Sequence, residues 1–167
     1  MPILVAAVVL VGLLSLLNLL LSLAIIRRLR GLEAGGGHGD PTTELLAEGT
    51  PLPAFPGRPD GVELIALLST TCSACRDQLP ALAGLLDGGA IGREAALVVV
   101  VGDVDDPAGA EYADALDAVA TVRREPFGGP VSGAFGARIF PVFYRIDGGV
   151  VRTAAIAVDA IAEPARA

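Results

Sequence analysis

The sequence predicts an α/β fold: a mixed β-sheet flanked by helices and preceded by a single N-terminal transmembrane helix. Three observations carry this expectation. An uncharged apolar run, Ile3 to Ile26, opens the chain of 167 residues. Beyond it, apolar runs of strand length alternate with segments of helical periodicity, the order expected of a sheet covered by helices. Finally, Asp147-Gly148-Gly149 joins the last two strand-like runs and signals a hairpin, which adds an antiparallel pair to the sheet.

The first element is "ILVAAVVLVGLLSLLNLLLSLAII". As a helix it would be about 36 Å long, enough to cross a hydrocarbon core of about 30 Å. A cleaved signal peptide would carry a basic start, a shorter apolar run and a small-residue cleavage site. Here only Met1 and Pro2 precede the run, and Arg27, Arg28 and Arg30 follow it. Residues 1–30 are therefore expected to form an uncleaved anchor with a basic flank. Gly12, Ser15, Asn18 and Ser22 would share one face of it, where small and polar residues let membrane helices pack, although isolated Ser and Gly are common in such helices.

All twelve basic residues of the chain are arginine, and the net charge is −7. After Arg30, nine arginines stand against nineteen Asp and Glu. So acidic a domain argues against nucleic-acid binding and against docking on anionic lipid, and the excess charge fits solubility.

Residues 31–50, rich in Gly, Pro and polar side chains, read as a linker with one short helical turn near Glu44–Glu48. A flexible linker of this length reaches about 25 Å. His38, the single histidine, falls within it and has no frame to hold it as a ligand or catalyst. Residues 51–167 are expected to form the folded domain.

Within that domain, "VELIALLS" (62–69) has strand length. "CSACRDQLPALAGLLDG" follows with Leu79, Leu82, Leu85 and Leu86 at helical spacing, and Gly88-Gly89 stops it. "AALVVVVGD" (95–103), apolar on both faces, reads as a central parallel strand. "DDPAGAEYADALDAVA" reads as a helix with Asp106 as N-cap and Pro107 in its first turn. A short strand at Thr121–Arg123, a helical turn near Val131–Gly136, the hairpin of "FPVFYRIDGGVVRTAAIAV" and a short helix from Asp159 complete the chain. No Gly-rich phosphate loop or nucleophile elbow is present.

The only cysteines, Cys72 and Cys75, lie in "LLSTTCSACRDQLPAL". With Cys72 between a strand and a helix, its sulfur would face the unpaired N–H groups and positive end of the helix dipole, which favour a thiolate. Cys75 would lie one turn in, on the same face. Attack on a substrate disulfide by the first and resolution by the second is the chemistry this spacing permits. A structural zinc would need four Cys or His ligands, so two cysteines and one linker histidine speak against a metal, and no cofactor is implied. A degenerate or purely structural pair is the remaining alternative.

The strand–"CSAC"–helix arrangement, Pro80 within that helix, and "FGARIFPVFYRIDGG" together resemble the thioredoxin superfamily, over about Leu52 to Val158. The anchor and "VVVVGDVDDPAGAEYADAL" look most like its membrane-tethered TlpA- and MauD-like branch. The resemblance implies a thioredoxin-like fold and thiol–disulfide exchange on extracytoplasmic proteins. It implies a cis Pro141 beside the cysteines and a Phe140 backbone placed to pair with a substrate strand. Protein disulfides or dithiols would be the substrates, and a redox partner would recycle the pair. Copper-delivery proteins of related fold need a histidine after the pair, and this chain has none there. The chain departs from the family at Thr71, where tryptophan is usual, at Ala66, where thioredoxin has its buried acid, and at Ala74, often proline. The missing acid leaves proton transfer from Cys75 to water, Glu63 or Asp77.

Two questions stay open at this level. The arginines after the anchor would keep the domain in the cytoplasm, whereas the resemblance tips the expectation outward, where disulfides persist. The alternative to an oxidoreductase is a redox-inactive thioredoxin-like scaffold or assembly factor for a secreted or membrane redox enzyme, with Phe140 and Phe143 on an exposed docking patch.

Overall fold

The computed structural model describes residues 45–162, together with Gly12 and Ser15, which are helical. The expected anchor (3–26), apart from those two residues, lies outside the described residues, as do His38 and most of the expected linker. Among the described residues, no helix is long and apolar enough to cross a membrane.

The chain runs β1 (Leu64–Ser69), α1 (Ser73–Asp87), a 3-10 turn (Arg93–Ala95), β2 (Ala96–Val101), α2 (Pro107–Leu116), β3 (Thr121–Glu125), α3 (Pro130–Ala134), β4 (Val142–Asp147), β5 (Val150–Ala155) and α4 (Asp159–Ala162). The five strands form one sheet in the order β3-β2-β1-β4-β5. β1 pairs in parallel with β2, and β2 with β3. β4 runs antiparallel to both β1 and β5. All six residues of β1 and all six of β2 are buried. Continuous apolar runs such as LIALLS and ALVVVV are what a strand covered on both faces requires.

Period-two alternation divides these strands between two cores. Ala66, Leu68, Val98 and Val100 meet Cys75, Leu79, Leu82 and Leu86 of α1 and Tyr112 and Leu116 of α2. Ile65, Leu67, Leu97 and Val99 meet Leu52, Phe55, Val131 and Phe135 on the opposite face. The helix α1 runs through Pro80, whose exposed position keeps the ring out of the core. The hairpin turns on Gly148 (φ 58) and Gly149 (φ 77), two consecutive left-handed positions that side-chain-bearing residues enter at a cost.

Two segments differ from the sequence reading. The sequence assigns residues 45–50 to the linker, yet Leu45 and Leu46 pack against the second core. Gly49 N–H donates to Val151 O at 2.8 Å, and Val151 N–H donates to Thr50 O at 2.9 Å, so this stretch lines the outer edge of β5. Two leucines amid Gly, Pro and Thr do not register as an element, but they suffice to cover an open sheet edge. Likewise, β3 continues past Arg123 to Glu125.

Candidate functional site

The parallel strands β1, β2 and β3 end on one side of the sheet, and the cysteines lie there. β1 stops at Ser69, and Cys72 is the N-cap of α1 with extended backbone (φ −102, ψ 113). Its sulfur accepts a hydrogen bond from Cys75 N–H at 3.3 Å, so it occupies the place of a capping oxygen. The Cys72 thiol donates to Phe140 O at 3.2 Å. Cys75 sits one turn further on and is fully buried, with its sulfur accepting from Ser69 N–H at 3.4 Å. Both are free thiols, Cys72 half-buried.

Burial is the main force on Cys75, pushing its thiol from an ordinary 9.0 up to about 12. Its hydrogen bond with Cys72 and the Cys72 charge push the same way, and the Ser69 N–H opposes them. Cys75 is therefore a protonated thiol at neutral pH, packed inside, while Cys72 reaches the surface.

The segment before β4 completes the rim. The Phe140–Pro141 peptide bond is cis, and Pro141 is buried. Phe140 is partly buried against both cores. Among the described residues its backbone N–H donates to no backbone carbonyl. Phe127, from the turn after β3, is 58% exposed and meets Phe140 edge-on at a centroid distance of 6.1 Å. Sequence reasoning missed Phe127, which lies in a Pro- and Gly-rich turn with no periodicity. Phe143, expected with Phe140 on an exposed patch, is fully buried, because β4 is an inner strand covered on both faces.

The turn that carries Phe127 is fixed by Glu125. This carboxylate is buried and accepts hydrogen bonds from Val131 N–H at 3.0 Å and Ser132 N–H at 2.6 Å at the start of α3. A side-chain carbon at Gly129 would meet the Glu125 carboxyl carbon at 2.8 Å, so glycine is needed there for the approach. At the start of α2, Asp106 accepts from Ala108 N–H at 2.9 Å. That bond, the Thr70 hydroxyl and the charges of Arg124 and Arg76 hold its carboxyl below the usual range.

Neither acid offered as a proton acceptor faces Cys75. Glu63 precedes β1, with its backbone paired to Ala95 and Ile146. It is thus separated from the cysteine end by the strand's full rise of about 20 Å. Asp77 is exposed on α1, two residues past Cys75 and so turned well away from its face. Ala66 lies buried in the core that contains Cys75. A polar group that sequence reasoning did not single out shares that core: Tyr112 of α2, fully buried.

A cleft of about 1140 Å³ lies at the far end of the sheet, lined by Arg58, Glu63, Arg145 and Ile161, and a smaller one of about 510 Å³ lies beside Arg123 and Pro130. Neither includes a cysteine. Among the described residues no group of three or more His, Cys, Asp or Glu is placed to hold a metal ion.

No protein-family model matches the sequence, and no curated protein matches it. Solved structures do match the fold. The thioredoxin domain of a thiol-disulfide oxidoreductase from Bacteroides vulgatus superposes with a TM-score of 0.55 at 16% identity, over 70% of this chain and 94% of that one. A thio-disulfide isomerase from Thermus thermophilus gives 0.52 at 18% identity, over 67% and 87%. The domain thus has a thioredoxin-like α/β fold with a mixed sheet and flanking helices.

Proposed function

We propose that this chain is a membrane-tethered thiol–disulfide oxidoreductase that exchanges disulfides with protein substrates. The observation that carries the reading is the asymmetry of the pair: a half-buried Cys72 capping α1, and a buried, protonated Cys75 one turn behind it. The structural neighbours from Bacteroides vulgatus and Thermus thermophilus are described as an oxidoreductase and an isomerase of thiols and disulfides, which supports the same chemistry.

In this reading the Cys72 thiolate attacks one sulfur of a substrate disulfide. A Cys72–substrate bond forms, the substrate S–S bond breaks, and the other substrate sulfur leaves as a thiolate that takes a proton from water. Cys75 then loses its proton and attacks Cys72, forming the Cys72–Cys75 disulfide and releasing the second substrate thiol. Two electrons pass from the pair to the substrate, and a redox partner returns them; substrate oxidation is the reverse sequence. The half-buried Cys72 and a Phe140 N–H that donates to no backbone carbonyl among the described residues suit an extended protein segment, with Pro141 shaping the groove. Residues 3–26 would tether the domain to the membrane, and the family resemblance favours the extracytoplasmic side. Labelling of Cys72 in intact cells by a membrane-impermeant maleimide would place it there, and labelling only after lysis would place it inside.

The test of the reaction is mixed-disulfide trapping. Cys75→Ala is expected to accumulate covalent complexes with substrate proteins that a reductant dissolves, and Cys72→Ala none. Equal trapping by both variants, or none by either, would overturn the assignment of roles. Full function of the Cys72→Ser, Cys75→Ser double variant in a deletion strain would favour the redox-inactive scaffold instead.

A further inference from the structure

Resolution of a mixed disulfide requires Cys75 to become an anion in the apolar interior, against the burial that holds its thiol up at about 12. The sheet residues on its side, Ala66, Leu68, Val98 and Val100, are apolar and bring no charge. Its own helix contributes Cys72, and the Ser69 N–H reaches its sulfur from the end of β1. From α2 the group is Tyr112.

Tyr112 is 0% exposed, in the core cluster that contains Cys75. Among the described residues no partner stands at ordinary hydrogen-bond geometry to its hydroxyl, and the donor that acts on the phenol oxygen is the Arg76 guanidinium. A buried hydroxyl whose own O–H has no acceptor is unusual and calls for an explanation. Its surroundings supply one. After burial, the neighbours that act on the phenol are Cys75 and Cys72, which raise its pKa, and Arg76, which lowers it. The Arg76 guanidinium is also within electrostatic reach of Asp106 at the start of α2. An unused O–H donor thus shares the interior with the thiol that must ionise, and a cation stands nearby.

We propose that the Tyr112 hydroxyl, supported by the Arg76 guanidinium, stabilises the Cys75 thiolate during the resolving step, in the role left vacant by Ala66. The inference rests on the oxidoreductase reading. In this step Cys75 ionises, its sulfur bonds to Cys72, the Cys72–substrate bond breaks, and the proton given up by Cys75 reaches the departing substrate thiolate through solvent. Tyr112 keeps its own proton throughout, since its pKa lies above the ordinary 10.0, and it serves as a donor. It is a positioning residue that acts through Cys75.

Ellman's disulfide separates the two steps on the purified, reduced full-length chain. Attack by Cys72 releases one thionitrobenzoate, and resolution by Cys75 releases the second. Tyr112→Phe keeps the ring and removes only a hydroxyl that makes no bond of ordinary geometry among the described residues, so its thermal midpoint should not fall. Its second release is expected to slow about tenfold at pH 7, with the pH profile of that phase moved up by about one unit. Arg76→Gln, a change at an exposed side chain, should shift the same phase in the same direction by less. A second phase with the wild-type rate and pH profile in Arg76→Gln and in a folded Tyr112→Phe would overturn the inference and leave the oxidoreductase reading standing. No first release from the wild type would remove both.

Discussion

Three residues apart on one helix, Cys72 and Cys75 meet different surroundings, and the difference has a thermodynamic consequence. In the unfolded chain a thiol at position 75 ionises above about pH 9, whereas in the folded dithiol protein it holds its proton until about 12. The unfolded state therefore binds fewer protons in that window, and stability falls as pH rises through it. The contribution is fully present below pH 9 and is lost progressively toward pH 12. Urea unfolding of the reduced chain between those limits should show a decline, of up to about 1.4 kcal/mol per pH unit, that Cys75→Ser lacks. Equal slopes for the two proteins would show that burial does not hold the Cys75 proton. The spacing Cys-Ser-Ala-Cys announced the pair and the turn between them. It did not announce Tyr112, because a tyrosine at a core position of an amphipathic helix reads as packing, and its place beside Arg76, with the O–H left unused, becomes visible only when α1 and α2 are laid against each other.

Among the elements, α1 and α3 do the most to place the site. Leu82 anchors α1 on the sheet, with no exposed surface, in the core cluster that holds Cys75. Leu82→Ala is expected to cost about 2–5 kcal/mol in chemical denaturation, the usual range for a buried leucine. A loss below 1 kcal/mol would mean that α1 is held mainly by its other contacts. For α3, Glu125→Ala would leave the Val131 and Ser132 N–H groups without their acceptor. Its expected cost is about 1.5–3 kcal/mol, read from the same measurement, and an unchanged midpoint would assign the start of α3 to other contacts. The order of strands and helices was legible because β1, β2 and the β4–β5 hairpin each have an unambiguous period or turn signal. Residues 45–50 and the end of β3 were not, since a sheet edge and a buried carboxylate define them, and both are contacts across the fold. Phe143 was misplaced for a related reason: the sequence of β4 does not say that it is an inner strand with both faces covered.

At the scale of the whole molecule, an expected anchor at residues 3–26 precedes a thioredoxin-like domain whose thiols lie where the parallel strands end. The proposed function requires that Cys72 and Cys75 exchange between dithiol and disulfide as a functional pair. The most direct test is an equilibrium redox titration of the full-length chain in glutathione or dithiothreitol buffers, read by thiol alkylation. One reversible two-electron transition is expected, in which both thiols disappear together. A potential near or below about −270 mV would mark a reductant, and one above about −200 mV an oxidant or isomerase. Two thiols that remain alkylatable at every buffer potential, with no Cys72–Cys75 disulfide formed, would contradict the claim.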